Sequence, residues 1–253
     1  ENVNGLSDWS EAFFPLVGLM YMLWKHIKHL NTRKATAVDK IPAWIFKRYH
    51  DDLAPVVHNI VTASVKQCKC PSQYKRAMVS PVAKVRNASD VENDFRQISV
   101  LPQLAKVIEK LPIQFNISDL NIKNNQHAFT RDRSTVSALI STTQSWYNAT
   151  GNSQSGRKGV HVRFIDFRKA FDLVNHNILL EKLASMSVSK SFWVWIKSFL
   201  TGRKQQVNLR GILSSIQSCP SGVPQGSVIS PTLFNVHIND LEDAAPNHVN
   251  IDT

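Results

Sequence analysis

A chain of 253 residues is long enough for one large domain or two small ones. Its 43% hydrophobic and 19% charged residues exclude an intrinsically disordered class, and its three cysteines exclude a disulfide framework. The surplus of 30 Lys and Arg over 19 Asp and Glu gives a formal charge of +11, which favours a polyanionic partner. Nucleic acid is the commonest such partner. An anionic membrane surface is the other candidate, but the sequence shows no basic amphipathic helix that would favour it.

The N-terminal quarter of the chain is predicted to be helical. The apolar run at residues 13–24 is shorter than the roughly 20 residues of a membrane span, so it indicates an amphipathic or partly buried helix. No signal-peptide pattern is visible, which predicts an intracellular protein of the cytoplasm and nucleus. Apolar periodicity predicts three helices, at residues 19–30, 41–49 and 53–66, the last with Pro55 near its first turn.

The middle of the chain changes repeatedly between strand, loop and helix patterns. Residues 77–82 indicate a short strand, which the polar loop 87–94 follows. Apolar periodicity predicts helices at 104–111 and 134–147. The stretch 148–159 is rich in Asn, Ser and Gly, and is therefore predicted to be a flexible turn.

Residues 160–172 combine a strand pattern with an acidic turn. Val160, Val162 and Phe164 share one parity, as expected of a strand with one face against a core. Asp166 falls on the same parity at the end of this strand, where a buried carboxylate needs a helix N-terminus, a cation or a metal. Asp172 lies near the start of the helical pattern that follows.

The C-terminal third is predicted to contain a helix, two strands, a loop and another helix. The first helix, 192–200, ends at Gly202, and the strands 205–209 and 214–219 turn at Gly211. The loop 221–227 contains Gly, Pro and Gly, which no regular element could hold. Ser230 and Pro231 then predict a helix start, as the N-cap and the first helical residue.

Four stretches, in this order along the chain, fit one known pattern. They are residues 93–101 (NDFRQISVL), 126–129 with 133–135 (QHAF and RST), 164–172 (FIDFRKAFD) and 222–231 (GVPQGSVISP). Together they resemble the reverse transcriptase of non-LTR (LINE-type) retrotransposons, from about residue 34 onward. The resemblance implies an α+β fold: a right-hand polymerase with fingers and a partial palm, in which helices pack on an antiparallel palm sheet and the thumb is absent. It also implies an N-terminal helical extension, 1–33, and a reverse transcriptase domain, 34–253.

The resemblance implies a metal site at Asp166. Nucleotide addition uses two divalent ions that clamp the attacking and leaving oxygens, and Mg²⁺ prefers oxygen ligands. Asp166 is implied to bridge both ions, and the backbone carbonyl of Phe167 to add a ligand. The structural alternative is that Asp166 caps the helix that follows, and Asp172 is expected to be a helix-start residue rather than a ligand.

The resemblance also implies substrate contacts. Phe171 matches the aromatic steric gate that excludes a 2′-hydroxyl, although a core position in the following helix fits its periodicity equally well. Gln225 and Gly226 match the loop near the incoming nucleotide and template base, the alternative being an ordinary Pro-Gly turn. Arg96 and Lys84 match the cations that hold the triphosphate, although Lys84 has basic neighbours that are consistent with a solvated surface.

Several positions depart from the family pattern. Gln97 stands where the family usually has Pro, Ala128 stands where it has Gly, and residues 36–39 replace a Gly-Pro-Asp turn. The third palm motif, an aromatic-Ala-Asp-Asp turn, is not recognisable. Either the chain stops short of that motif, which is the favoured interpretation, or residues 251–253 are its decayed form.

The resemblance therefore implies an RNA-directed DNA polymerase fragment of a retroelement, which transfers nucleotides to a primer 3′-hydroxyl. Its implied partners are an RNA template, a DNA primer and deoxynucleoside triphosphates, with no membrane. Lacking the aromatic-Ala-Asp-Asp motif, the chain alone is expected to be inactive. A catalytically inactive nucleic-acid-binding remnant and an intron maturase-like reverse transcriptase are the alternatives.

Overall fold

The computed structural model of the protein describes residues 16–91, 93–116, 120–151 and 159–244. The helices are α1 Leu16–Lys28, α2 Ala43–Arg48, α3 His50–Lys66, α4 Gln103–Asn116, α5 Thr135–Gly151, α6 His176–Ser185, α7 Lys190–Leu200 and α8 Ser230–Ile238. The strands are β1 Arg76–Ala83, β2 Phe95–Val100, β3 Lys204–Leu209, β4 Ile212–Leu213 and β5 Gln217–Ser218. The predicted combination of helices and a sheet is confirmed, with each helical pattern close to an observed helix.

The strands form one mixed sheet in the order β2-β1-β3-β4, with β5 also paired to β3. β1 pairs with β2 antiparallel and with β3 parallel, so that Val79 lies opposite both Ser99 and Val207. Both β4 and β5 run antiparallel to β3. The predicted turn at Gly211 is confirmed: this residue has a φ of +90°, which favours glycine.

The prediction of an antiparallel sheet with Asp166 at the end of a strand is wrong for the described residues. Residues 160–167 adopt no regular structure, and the sheet that forms elsewhere contains the parallel β1–β3 pair. All of these side chains are exposed; that of Phe164 is 87% exposed. The physical reason is that a strand needs a hydrogen-bonded neighbour, and no strand within the described ranges pairs with this segment.

Three helix starts differ from the predictions. α6 begins at His176, where the Asn175 side chain accepts hydrogen bonds from two backbone N–H groups, so Asp172 precedes the helix instead of starting it. α8 has Ile229 as its N-cap, because the backbone already turns into the α region there, and Ser230 becomes its first residue. α3 begins at His50, which places Pro55 inside the helix rather than in its first turn.

The core lies where α1, α3, α4, α6, α7 and α8 meet. α7 contributes Phe192, Trp195, Ile196 and Phe199, whose i, i+3, i+4, i+7 spacing puts them on one face, and all four are 0% exposed. α1 places Leu23 and neighbouring residues in the same core. None of the helices in the described ranges combines the length and the apolar character that crossing a bilayer requires.

Candidate functional site

The β1–β2 hairpin carries both predicted phosphate-binding cations. Arg96 lies on β2 opposite Val82, and its side chain is exposed and makes no hydrogen bond or ion pair among the described residues. The Lys84 Nζ donates a 2.7 Å hydrogen bond to the backbone carbonyl of Asn93. The guanidinium of Arg96 is thus available to an anion, whereas a phosphate at Lys84 would compete with an existing bond.

The segment that holds Asp166 and Phe167 lies on the surface. Both residues are exposed, and Asp166 makes no side-chain hydrogen bond or ion pair with any other described residue. The segment is connected to the β1–β2 hairpin through Arg168, whose Nη2 donates to the side-chain oxygen of Asn93 at 2.9 Å. Asp166 does not cap α6, because the Asn175 side chain does.

Phe171 lies at the centre of three aromatic rings. Its ring stacks on that of Phe234 from α8, with centroids 5.0 Å apart, and meets the edge of Phe129 at 5.9 Å. The side chain of Phe171 is half-buried, so one part packs against the core while another part reaches solvent. These contacts are compatible with both predicted roles, a core residue and a ring that contacts a substrate.

The loop between β5 and α8 packs so closely on its neighbours that two positions accept only glycine. A Cβ on Gly222 would lie 2.7 Å from the backbone oxygen of Asp172, and one on Gly226 would lie 2.6 Å from that of Ser99. Both glycines also have positive φ, +83° and +117°. The loop is fixed further by a 2.8 Å hydrogen bond that the Ser99 N–H donates to the Gln225 carbonyl. Gln225 and Gly226 are thus held against β2.

The same loop is joined to the turn that carries Phe171. The Val223 N–H donates to the Phe171 carbonyl at 2.8 Å, and the Gly222 N–H donates to the Val174 carbonyl at 2.8 Å. His176 adds a 2.7 Å hydrogen bond between its Nε2 and the Gly222 carbonyl. The structure therefore brings together three of the sequence motifs that were predicted to form one site, through β2, this loop and the Phe171 turn.

A polar cleft of about 170 Å³ lies between this loop and the sheet. Its lining includes Gln97, Asp172, Arg203 and Gln225, whereas Asp166, Lys84 and Arg96 are outside the lining. Burial raises the pKa of the Asp172 carboxyl, and the charge of Lys169 opposes this rise. The carboxylate in the cleft is therefore Asp172, which the sequence interpretation had assigned to a helix start.

Two buried charged residues near the loop were not predicted. Glu109, on α4, is 2% exposed, and its Oε2 accepts hydrogen bonds from the Ser227 hydroxyl at 2.6 Å and the Val228 N–H at 2.8 Å. Arg203 is 4% exposed, and its Nη1 donates to the Phe199 carbonyl. A signal for Glu109 was present in the sequence: it follows Ala105 by four residues on an apolar helix face, where a carboxylate is unexpected.

The described residues supply at most part of a metal site. Asp166 and the Phe167 carbonyl offer exposed oxygen donors of the kind that Mg²⁺ prefers. Within the described ranges, however, no three His, Cys, Asp or Glu side chains cluster closely enough to hold an ion. Residues 251–253, the alternative location of a decayed acidic motif, lie outside the described residues. The described residues therefore offer the type of ligand atom that Mg²⁺ prefers, but too few ligands to hold the ion by themselves.

Comparison with known proteins shows a clear family relationship. The family model described as "Reverse transcriptase (RNA-dependent DNA polymerase)" matches residues 84–252. Over 220 residues, 85% of the chain, the sequence is 27% identical to the "Probable RNA-directed DNA polymerase from transposon BS" of Drosophila melanogaster. Over 180 residues, 70% of the chain, it is 30% identical to the "RNA-directed DNA polymerase from mobile element jockey" of the same species. The chain spans 24% and 19% of the lengths of these relatives.

Proposed function

Since the chain belongs to the reverse transcriptase (RNA-dependent DNA polymerase) family, we propose that it adds deoxynucleotides to a DNA primer on an RNA template, as part of a longer non-LTR retrotransposon protein. The observation that carries the proposal is the close seating of the loop with Gly222 and Gly226 against β2 and the Phe171 turn. Such close backbone approach fixes a rigid surface at which a nucleotide and a template base could be compared.

In the proposed reaction, the primer 3′-hydroxyl attacks the α-phosphorus of a deoxynucleoside triphosphate, and pyrophosphate leaves. The exposed guanidinium of Arg96 binds the triphosphate, and Lys84 adds a second positive charge after releasing the Asn93 carbonyl. Phe171 presents its solvent-facing ring beneath the sugar, where a 2′-hydroxyl would collide with it. Gln225 and Gly226 face the base pair that the nucleotide forms with the template.

The proposed cofactor is a pair of Mg²⁺ ions, for which Asp166 and the Phe167 carbonyl are the donors among the described residues. When bound, such ions neutralise phosphate charge and lower the pKa of the attacking hydroxyl. The exposure of Asp166 and its lack of a partner in the described part of the chain support this role, because a structural carboxylate would be paired or capping.

The test is the Asp166→Asn substitution. It is made in a polypeptide as long as the relatives, which contains this chain as one part. Primer extension on an RNA template should fall by at least about a thousandfold, because several kcal/mol of charge stabilisation would be lost. The free energy of unfolding should change by less than about 0.5 kcal/mol, since the side chain is exposed and unpartnered within the described residues.

The matched control for this test is Asp52→Asn. Asp52 is an exposed carboxylate on α3, outside the proposed site. Its substitution should leave primer extension unchanged, which separates the loss of one specific carboxylate from a general loss of negative charge. Undiminished extension by the Asp166→Asn protein would remove Asp166 from the site.

A second candidate function, nucleic-acid binding without synthesis, is favoured by one observation, the formal charge of +11. It predicts salt-dependent binding of a template–primer duplex and no primer extension by the longer polypeptide. One extension assay with the unsubstituted protein separates the two functions, because only the first yields an elongated primer.

A further inference from the structure

Glu109 is a charged residue that the proposed reaction does not yet use. Its carboxylate is almost completely removed from solvent, on a helix whose buried residues include Ala105, Ile108 and Leu111. Burial raises the pKa of Glu109, whereas its hydrogen bonds and the charges of Arg203 and Lys106 oppose this rise. Well-packed apolar residues at such positions are often as stabilising as a buried charge, so stability alone is a weak reason for a carboxylate here.

Within the described ranges, the side-chain hydrogen bonds of Glu109 go to two consecutive residues, Ser227 and Val228. Its Oε2 accepts from the Ser227 hydroxyl and the Val228 N–H, and the Ser227 oxygen accepts in turn from the Ile229 N–H at 3.2 Å. These residues lead directly into α8, which has no side-chain cap of its own. Glu109 thus binds, from another helix, the segment just before the N-terminus of α8, where a negative charge also interacts favourably with the helix dipole.

The other side of the same loop is fixed by β2. Ser99 donates to the Gln225 carbonyl, and Gly226 lies against the Ser99 oxygen. The loop is therefore held between α4 and β2, with Gln225 lining the cleft, Gly226 against β2, and Ser227 and Val228 on the Glu109 side. A displacement of Ser227 would therefore shift its covalent neighbour Gly226 relative to Ser99.

We propose that Glu109 is a positioning residue for the incoming nucleotide: its carboxylate fixes the Ser227–Val228 segment, and thereby holds Gly226 against β2 and Gln225 in the cleft. The inference rests on the proposed function, because it assigns the nucleotide to the surface formed by this loop. Glu109 itself does not contact the substrate. Its effect is transmitted over the two or three residues that separate its hydrogen bonds from Gln225.

The first measurement uses the 253-residue chain and needs no activity. The variants are Glu109→Gln, which keeps the shape but removes the charge, Ser227→Ala, and the two combined. Amide hydrogen exchange of Val228 should become about tenfold faster in each single variant, as expected when a hydrogen bond to a charged group is weakened. The double variant should change the exchange rate by less than the product of the two single effects, because both substitutions affect the Glu109–Ser227 hydrogen bond. Unchanged exchange at Val228 would overturn the proposal.

The matched control is Glu181→Gln, an exposed carboxylate on α6. It removes the same charge from the surface and should leave the exchange of Val228 unaltered. If Glu109→Gln does not fold, Ser227→Ala still removes one of the two hydrogen bonds and keeps the test decisive, since it introduces no new polar atom.

The second measurement follows primer extension by the longer polypeptide. A positioning role predicts that Glu109→Gln raises the KM for deoxynucleotides about tenfold, while kcat and template–primer affinity change by less than about threefold. Faster exchange with an unaltered KM would show a purely structural role and overturn the proposal. An unsubstituted protein that binds template–primer but extends no primer would instead reject the proposed function, and the exchange data would still decide whether Glu109 fixes the loop.

Discussion

Single residues in the candidate site are constrained by backbone contacts more than by side-chain contacts. Gly222 and Gly226 each combine positive φ with a neighbouring backbone oxygen less than 3 Å from where a Cβ would lie. Gly211 has a positive φ too, but open space around it. These positions therefore separate the cost of an unusual backbone conformation from the cost of a collision.

Replacing Gly226 by Ala should lower the free energy of unfolding by more than the about 1–3 kcal/mol that backbone strain alone costs, because the new Cβ also meets the Ser99 oxygen. Gly211→Ala is the matched control, and its free energy of unfolding should fall only by the cost of backbone strain, because open space surrounds this position. Urea denaturation followed by circular dichroism measures both. Equal losses for the two variants would mean that the loop moves away from β2 at little cost.

The buried thiol of Cys70 should make stability depend on alkaline pH. Burial raises the pKa of Cys70 to about 11 from an ordinary value of 9.0, so the folded state holds this proton more tightly than the unfolded state. The associated stabilisation is complete below pH 9 and is lost as the pH rises towards about 11, by roughly 2–3 kcal/mol for a shift of this size.

The measurement for Cys70 is the free energy of unfolding from pH 8 to 11, compared between the parent and Cys70→Ser. The difference between their pH profiles isolates this thiol from other groups that titrate in the same range. Cys219→Ser is the control, because Cys219 is only partly buried and should change the profile less. Parallel profiles for the parent and Cys70→Ser would contradict the assignment.

At the scale of elements, α7 anchors the core while α2 lies at its edge. Trp195 on α7 is 0% exposed, and its indole N–H donates to the Ser64 hydroxyl of α3 at 3.0 Å. Trp44 on α2 is 48% exposed. The two tryptophans thus have the same side chain in opposite environments, which makes them a matched pair for measuring what burial contributes.

Trp195→Ala should therefore lower the free energy of unfolding by about 3–5 kcal/mol, since it leaves a large cavity between α7 and α3. Trp44→Ala should cost far less, because about half of this side chain is already exposed to solvent and its removal leaves no closed cavity. Urea titrations with circular dichroism detection provide both values. Similar losses would indicate that α7 is not the anchor of the core.

At the scale of the whole molecule, the formal charge of +11 governs association with polyanions. If about six cations contact phosphates, affinity for a template–primer duplex should fall about a thousandfold between 50 and 200 mM salt. Fluorescence anisotropy over this range gives the slope of log affinity against log salt. Arg96→Gln should reduce that slope by about one, whereas Lys47→Gln, on α2, should not. An affinity that is independent of salt would argue against phosphate contacts.

The sequence by itself determined the helices, the glycine loop and the family. Helical periodicity is a local signal, so the pattern of α7 or α1 predicts a helix whatever surrounds it. The loop 221–227 was recognisable because Gly and Pro restrict the backbone in ways that few neighbours can override. Both kinds of signal are contained within about ten consecutive residues, and the structure therefore agrees with them.

Tertiary structure decided everything that depends on a distant partner. Residues 160–167 alternate as a strand should, but no strand in the described part of the chain pairs with them. Which carboxylate lines the cleft depended on how the loop packs against the Phe171 turn. Glu109 gained its role only when α4 met the start of α8, 118 residues away in the chain. Hydrogen bonds and burial across such separations are set by packing, which local sequence patterns do not encode.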